Sequence, residues 1–160
     1  MNPVVEAMKP LIERAVTWGA LIVRPMSLGV RAVIADGEGG VFLVKHSYVP
    51  GWYLPGGGVD AGETCDAALR REVREEAGFE VEDERLRLFG LYQNARVSRR
   101  DHVALYVVER TRRIEPVPYP NREIVEAGFF PLDRLPDDTT RATQARLAEV
   151  FAGAAPSEIW

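Results

Sequence analysis

Residues 57–79 read GGVDAGETCDAALRREVREEAGF, and the fold follows from how this stretch is read. It opens on glycines, crosses a short acidic loop and becomes a helix crowded with glutamates. Ala67, Ala68 and Val73 interrupt the charge, and Gly78 is a natural helix stop. Glu72, Glu75 and Glu76 stand at i, i+3 and i+4, the spacing of one helix face. Like charges at that spacing cost a helix about 0.2–0.5 kcal/mol per pair. A bound cation offsets the cost, and all-oxygen ligands of this kind suit Mg²⁺ or Mn²⁺ rather than zinc. The competing reading is a solvated face salt-bridged by Arg70, Arg71 and Arg74.

The residues just before the helix weigh against that second reading. Leu54-Pro55-Gly56-Gly57-Gly58 is a glycine-rich turn. Glycine lets backbone approach a ligand closely, and a loop entering a helix N-terminus suits phosphate. Loop and helix together resemble the signature of the Nudix hydrolases: G, five residues, E, seven residues, then R-E-U-x-E-E-x-G-U, where U is aliphatic or aromatic. Gly57, Glu63, Arg71, Glu72, Val73, Glu75, Glu76, Gly78 and Phe79 fill every specified position. The resemblance implies an α/β (α+β) chain with the Nudix fold, a mixed β-sheet sandwiched between α-helices. It implies a hydrolase that breaks a phosphoanhydride bond of a nucleoside diphosphate linked to another group, with Mg²⁺ as cofactor and Mn²⁺ as substitute. Glu72, Glu75 and Glu76 would be metal ligands, and the Gly57 carbonyl could add another. Glu63 would support the site or bind metal through water. Arg71 would orient the glutamates by hydrogen bonding.

Composition sets the outer bounds. The chain has 160 residues, enough for one ordinary domain, with 46% hydrophobic and 28% charged residues. A net charge of −4 argues against a general nucleic-acid binder, which needs clustered Lys and Arg. The single cysteine, Cys65, excludes an intrachain disulfide and fits a reducing cytosol, so a cytoplasmic location is expected. No apolar run reaches the roughly 18 residues that suggest a membrane span. Glu6, Lys9, Glu13 and Arg14 break up the N-terminus too often for a secretory segment.

Residues 1–27 read as an amphipathic helix and connector, residues 28–153 as the hydrolase domain and residues 154–160 as a tail. In the first of these, Val4, Met8, Leu11, Ile12, Ala15 and Trp18 recur at helical spacing. Leu28–Ala35 and Val41–Val44 read as a hairpin around Asp36–Gly40. His46, just beyond, reads as a surface histidine. Trp52 reads as packing, and Tyr53 as either packing or a ligand platform. Arg85–Tyr92 alternates like a strand with one polar face, Leu86 and Leu88 opposite Arg85, Arg87 and Phe89. Residues 93–101 form a polar loop whose Arg96, Arg99 and Arg100 read equally as a solvated turn or a phosphate-binding group. His102–Val108 is continuously apolar and should be a central strand. Residues 110–121 read as a loop. Phe129 and Phe130 belong to a late strand. Thr139 or Thr140 can cap a last helix through Ala152, burying Ala142, Ala145, Leu147 and Val150.

A second resemblance to the family lies outside the glutamate helix. Many relatives carry E-I-x-E shortly before a W-F pair, and here Glu123-Ile124-Val125-Glu126 precedes Phe129-Phe130, with Phe129 at the tryptophan position. In some relatives an acid in this region is the general base, so Glu123 is a candidate beside Glu75; a solvated loop acid is the other reading. The partner implied is a small nucleotide, and a homodimer rests only on family analogy and the N-terminal apolar stripe. Two other functions fit the same residues: a catalytically silent metal and nucleotide sensor, and a hydrolase trimming RNA 5′ ends.

Overall fold

The computed structural model describes residues 26–84, 86–114 and 116–160. The expected N-terminal helix lies outside the described residues. Among the described residues, eight strands and two helices run in the order β1 (Ser27–Ile34), β2 (Gly40–His46), β3 (Trp52–Tyr53), α1 (Cys65–Glu72), β4 (Phe79–Val81), β5 (Arg87–Gln93), β6 (Asp101–Val108), β7 (Thr111–Arg113), β8 (Ile124–Pro131) and α2 (Arg141–Phe151). A wider turn, Val73–Ala77, extends α1.

Three ladders form: β1-β6-β5, β3-β2-β8 and β4-β7. β1 and β6 are parallel, and the remaining pairs are antiparallel. The strands thus make mixed sheets, as the family resemblance implied. Burial follows the period of two. On β1, Val30, Ala32 and Ile34 join the cluster holding Ala68, Leu69 and Val73 of α1 and its extension. Val33 points the other way, into the cluster holding Leu147 of α2. β2 divides likewise, Phe42 and Val44 against Val41 and Leu43. Strands with a helix on each face are apolar on both faces, which is why β2 and β6 read as unbroken apolar runs. β6 is central in its ladder, as its sequence predicts.

Several expectations are corrected. β1 and β2 do not pair as a hairpin; they join different ladders and share one bridge, Ala35 with Val41. β1 instead finds a parallel partner 74 residues away, Ser27 opposite Asp101, a choice that local turn chemistry cannot reveal. The 110–121 loop contains β7, which pairs with β4 through Phe79 and Arg113; three residues are too few to show a period. On β5 the alternation breaks at a bulge between Leu88 and Gly90. The extra residue turns Leu88 outward, 53% exposed, and Phe89 inward against the α2-side cluster. α2 starts where expected, with the Thr140 hydroxyl accepting from the Thr143 N–H at 3.2 Å. Its buried face differs: Ala145 is exposed, whereas Thr143, Arg146 and Glu149 are buried.

Candidate active site

The glycine turn lies along β1 as an irregular extra strand. Val30 N–H donates to the Gly57 carbonyl and Ala32 N–H to the Pro55 carbonyl, both at 2.9 Å, and Val59 N–H donates back to Leu28 at 2.9 Å. Gly56 has φ +140°, and a Cβ there would overlap the Val30 carbonyl. A Cβ on Gly57 would overlap the Glu72 carboxylate instead. The first glycine lets the turn sit on the sheet; the second lets a glutamate come against its backbone.

α1 begins at Thr64, whose hydroxyl accepts from Ala67 N–H at 3.1 Å. Its Arg70 donates to the Val81 and Asp83 carbonyls, at 2.8 and 2.7 Å, and so ties the helix to the segment around β4. Arg71 faces the opposite way and is the hub of the glutamates. It forks onto Glu63 (3.1 and 3.0 Å), donates to Glu72 at 2.6 Å and to the Gly58 carbonyl at 3.1 Å, and lies 3.6 Å from Glu75. These bonds hold Glu63 below the usual carboxylate range and raise Arg71.

After Glu72 the helix widens to the i→i+5 pattern before Gly78 closes it at φ 70°. Glu72 and Glu76 stay together, lining one cleft with Gly57, Glu123 and Arg31. Glu75 does not share that cleft: its side chain is 61% exposed and turns toward Arg71 and the helix flank. The single face expected of the three glutamates is therefore a pair plus an outlier.

The pair is poorly compensated. Glu76 accepts one hydrogen bond, from Gly56 N–H at 2.8 Å, and burial pushes its pKa up to about 7. Burial raises Glu72 also, against the opposing pull of Arg71. His46 is buried, contrary to the surface reading, with Nδ1 3.7 Å from Glu76 and neither ring nitrogen hydrogen-bonded among the described residues. Burial, then the charge of Arg31, lowers it to about 4, so it is a neutral neighbour rather than an ion-pair partner.

As they stand, no three His, Cys, Asp or Glu side chains among the described residues converge closely enough to grip an ion. The donor chemistry nevertheless fits a hard divalent cation: Glu72, Glu76, Glu123 and the remaining lone pair of the Gly57 carbonyl are all oxygen.

The other expected contacts separate. Tyr53 and Arg96 line a cavity that adjoins the cleft. Arg99 and Arg100 are exposed and line neither space. Sequence reasoning missed Arg31, Tyr48, Asn94 and Trp160, which wall these spaces. Arg31 had a signal, a lone charge inside the otherwise apolar LGVRAVIA. Its guanidinium donates to the Leu54 carbonyl at 2.8 Å.

Comparison with known proteins agrees with this geometry. The NUDIX domain matches residues 25–151, and the chain belongs to that family. A MutT Nudix hydrolase from Burkholderia pseudomallei superimposes with TM-score 0.62 at 30% identity, covering 78% of this chain and 97% of the other. An ADP-ribose pyrophosphatase from Streptococcus suis does so with TM-score 0.57 at 28% identity, covering 82% and 94%. An RNA pyrophosphohydrolase from Vibrio atlanticus is 41% identical over 56 residues, 35% of this chain and 33% of that protein. The chain thus spans about a third of the length of that curated relative. Among the described residues no helix is long and apolar enough to cross a membrane.

Proposed function

We propose that this chain hydrolyses a phosphoanhydride bond in a small nucleotide whose nucleoside diphosphate is linked to a second group, with Mg²⁺, or Mn²⁺ in its place, as cofactor. The observation that carries this is the pair Glu72 and Glu76, two acids pushed toward their neutral forms by burial on the wall of an open cleft beside the glycine turn. Buried carboxylates facing a cleft with few partners mark a binding site for positive charge. Glu72, Glu76 and the Gly57 carbonyl would hold the divalent ion, with Glu75 at its outer edge. When bound, such an ion draws charge from the phosphate oxygens and makes water a stronger acid.

The remaining residues divide the work. Arg71 keeps Glu72 oriented and Glu63 in reserve behind it. Arg31 presents its guanidinium to the same cleft, where it can fork onto a phosphate. Glu123 lines the same cleft as the pair and is the better-placed acid to take a proton from the attacking water, since Glu75 turns outward. A small substrate is favoured over an RNA end because, of the three loop arginines that would follow a nucleic-acid backbone, none lines the cleft and only Arg96 lines the adjoining cavity.

The test is the formation of nucleoside monophosphate and its partner phosphate product, separated by anion-exchange chromatography, from a panel of ADP-ribose, sugar nucleotides, (d)NTPs and dinucleoside polyphosphates, with Mg²⁺ and with EDTA. Turnover of one class with metal and none with EDTA is expected. Silence across the panel with metal present, or Mg²⁺-saturated Glu76→Gln turning over like wild type, would overturn the proposal.

A further inference from the structure

The cleft continues past Glu123 into a cavity of about 510 Å³ walled by Tyr48, Tyr53, Val97, Trp160, Arg31 and Arg96. Arg31, Tyr48, Asn94, Val97 and Val103 line both spaces, so the two adjoin. The linings differ in kind. Glu72, Glu76 and Glu123 face the first; among the described residues no carboxylate faces the second, which offers three aromatic rings and two guanidinium groups. Such a wall suits a flat aromatic group attached to phosphate: rings stack on its faces, and guanidinium groups stack or bond at its edge.

Trp160 reaches this cavity on the segment that follows α2. That segment lies along the end of β5: Gln93 N–H donates to the Glu158 carbonyl at 2.8 Å, and Trp160 N–H donates to the Gln93 carbonyl at 2.9 Å. Beneath it is a buried ion pair. Arg146 donates to Glu149 at 2.6 Å and to the Ile159 carbonyl at 2.8 Å. Glu149 also accepts from Ser157 N–H at 2.9 Å and from the Tyr92 hydroxyl at 2.8 Å. The Arg146 guanidinium lies 4.2 Å from the Tyr92 ring centre and 5.6 Å from that of Trp160. The Tyr92 and Trp160 rings meet edge to face at 5.6 Å. A buried ion pair is a costly device for stability alone. Here its bonds outside α2 and Tyr92 all end on residues 157–160, and they hold the indole as a preorganised platform.

We propose that Trp160 is the specificity-determining ring of this protein, stacking on the aromatic base of the nucleotide while the diphosphate lies toward Glu72 and Glu76. The identity of the ligand rests on the hydrolase reading, but the binding test does not need turnover. Calorimetric titration in EDTA compares AMP, GMP, UMP and CMP with ribose 5-phosphate, for wild type, Trp160→Ala and Trp160→Phe. At least one nucleotide should bind wild type more tightly than ribose 5-phosphate does. Its Kd should rise about tenfold in Trp160→Ala, within the range of a lost base–aromatic stack, and recover most of that in Trp160→Phe. Ribose 5-phosphate should bind all three proteins alike, which separates a lost stack from a collapsed cavity. The proposal is overturned if wild type binds no nucleotide better than ribose 5-phosphate, if Trp160→Ala binds nucleotides like wild type, or if all ligands weaken together. Turnover by wild type is scored separately: nucleotide binding at Trp160 without hydrolysis would sink the hydrolase reading and leave this one standing.

Discussion

Glu76 and Glu149 are buried to the same degree, each about 7% exposed, yet they sit in opposite circumstances. Glu149 is surrounded by donors: Arg146, Tyr92 and the Ser157 N–H all point at its carboxylate. Glu76 has one backbone donor, an unbonded neutral histidine and a cleft. Burial by itself therefore does not mark a site. A buried acid with both oxygens held by donors holds structure together; one left short of donors on a cleft wall is kept for something that arrives from solution.

The contrast is broken most directly by neutralising each acid in turn. Glu76→Gln should cut kcat/KM by at least about 100-fold, in the range of lost charge stabilisation at a reacting centre, while the thermal midpoint holds or rises. Glu149→Gln should do the reverse: Arg146 is left charged in the interior, so stability falls by about 3 kcal/mol, measured by urea unfolding, and the folded enzyme keeps most of its kcat while KM rises as the support of Trp160 loosens. If Glu149→Gln proves as inert chemically as Glu76→Gln, the distinction fails.

Acidity separates the two further. In metal-free protein Glu76 has a folded pKa near 7 against an ordinary value of 4.5. Between those values the folded state holds more protons than the unfolded, so this group's contribution is complete below about pH 4.5 and falls as pH rises to 7, by about 3 kcal/mol in all. His46, lowered to about 4, works in the opposite sense over much of that window, so the Glu76 decline is read as the difference in slope between wild type and Glu76→Gln in urea titrations in EDTA; equal slopes would remove the asymmetry.

The glycine turn sharpens the same point at smaller scale. Gly57→Ala pushes a methyl at the Glu72 carboxylate and should lower kcat about tenfold with little loss of stability, because its effect resembles disturbing a ligand's support. Gly56→Ala strikes the Val30 carbonyl at a left-handed φ and should cost stability first. Least is expected of Arg99→Ala: the side chain is exposed and outside both spaces, so stability should change by no more than about 0.5 kcal/mol, with kcat/KM unaltered.

What could be read from the sequence was whatever is local. The glycine turn, the cap at Thr140, the Gly78 stop and the apolar β6 depend on neighbours a few residues away, and all are present. Partners distant in the chain were hidden. No nearby residue announces that β1 pairs with β6 rather than β2, or that Phe79 meets Arg113. The outward turn of Glu75 comes from a local widening of the helix that the REVREEAG run does not signal. His46 was misread and Arg146 passed over because polar residues are usually exposed, and only the assembled core shows what covers them.

β1 serves the sheet and the site with the same atoms. Val30 holds the Gly57 carbonyl with its N–H, and its side chain is wholly buried under α1. The amide that positions the turn is therefore shielded by the apolar cluster that α1 covers. In hydrogen exchange, Val30 and Ala32 should be among the last amides to give up their protons, opening only when the whole domain does. A ligand arriving at the cleft meets a floor that does not yield, so selection among ligands falls to the walls around it.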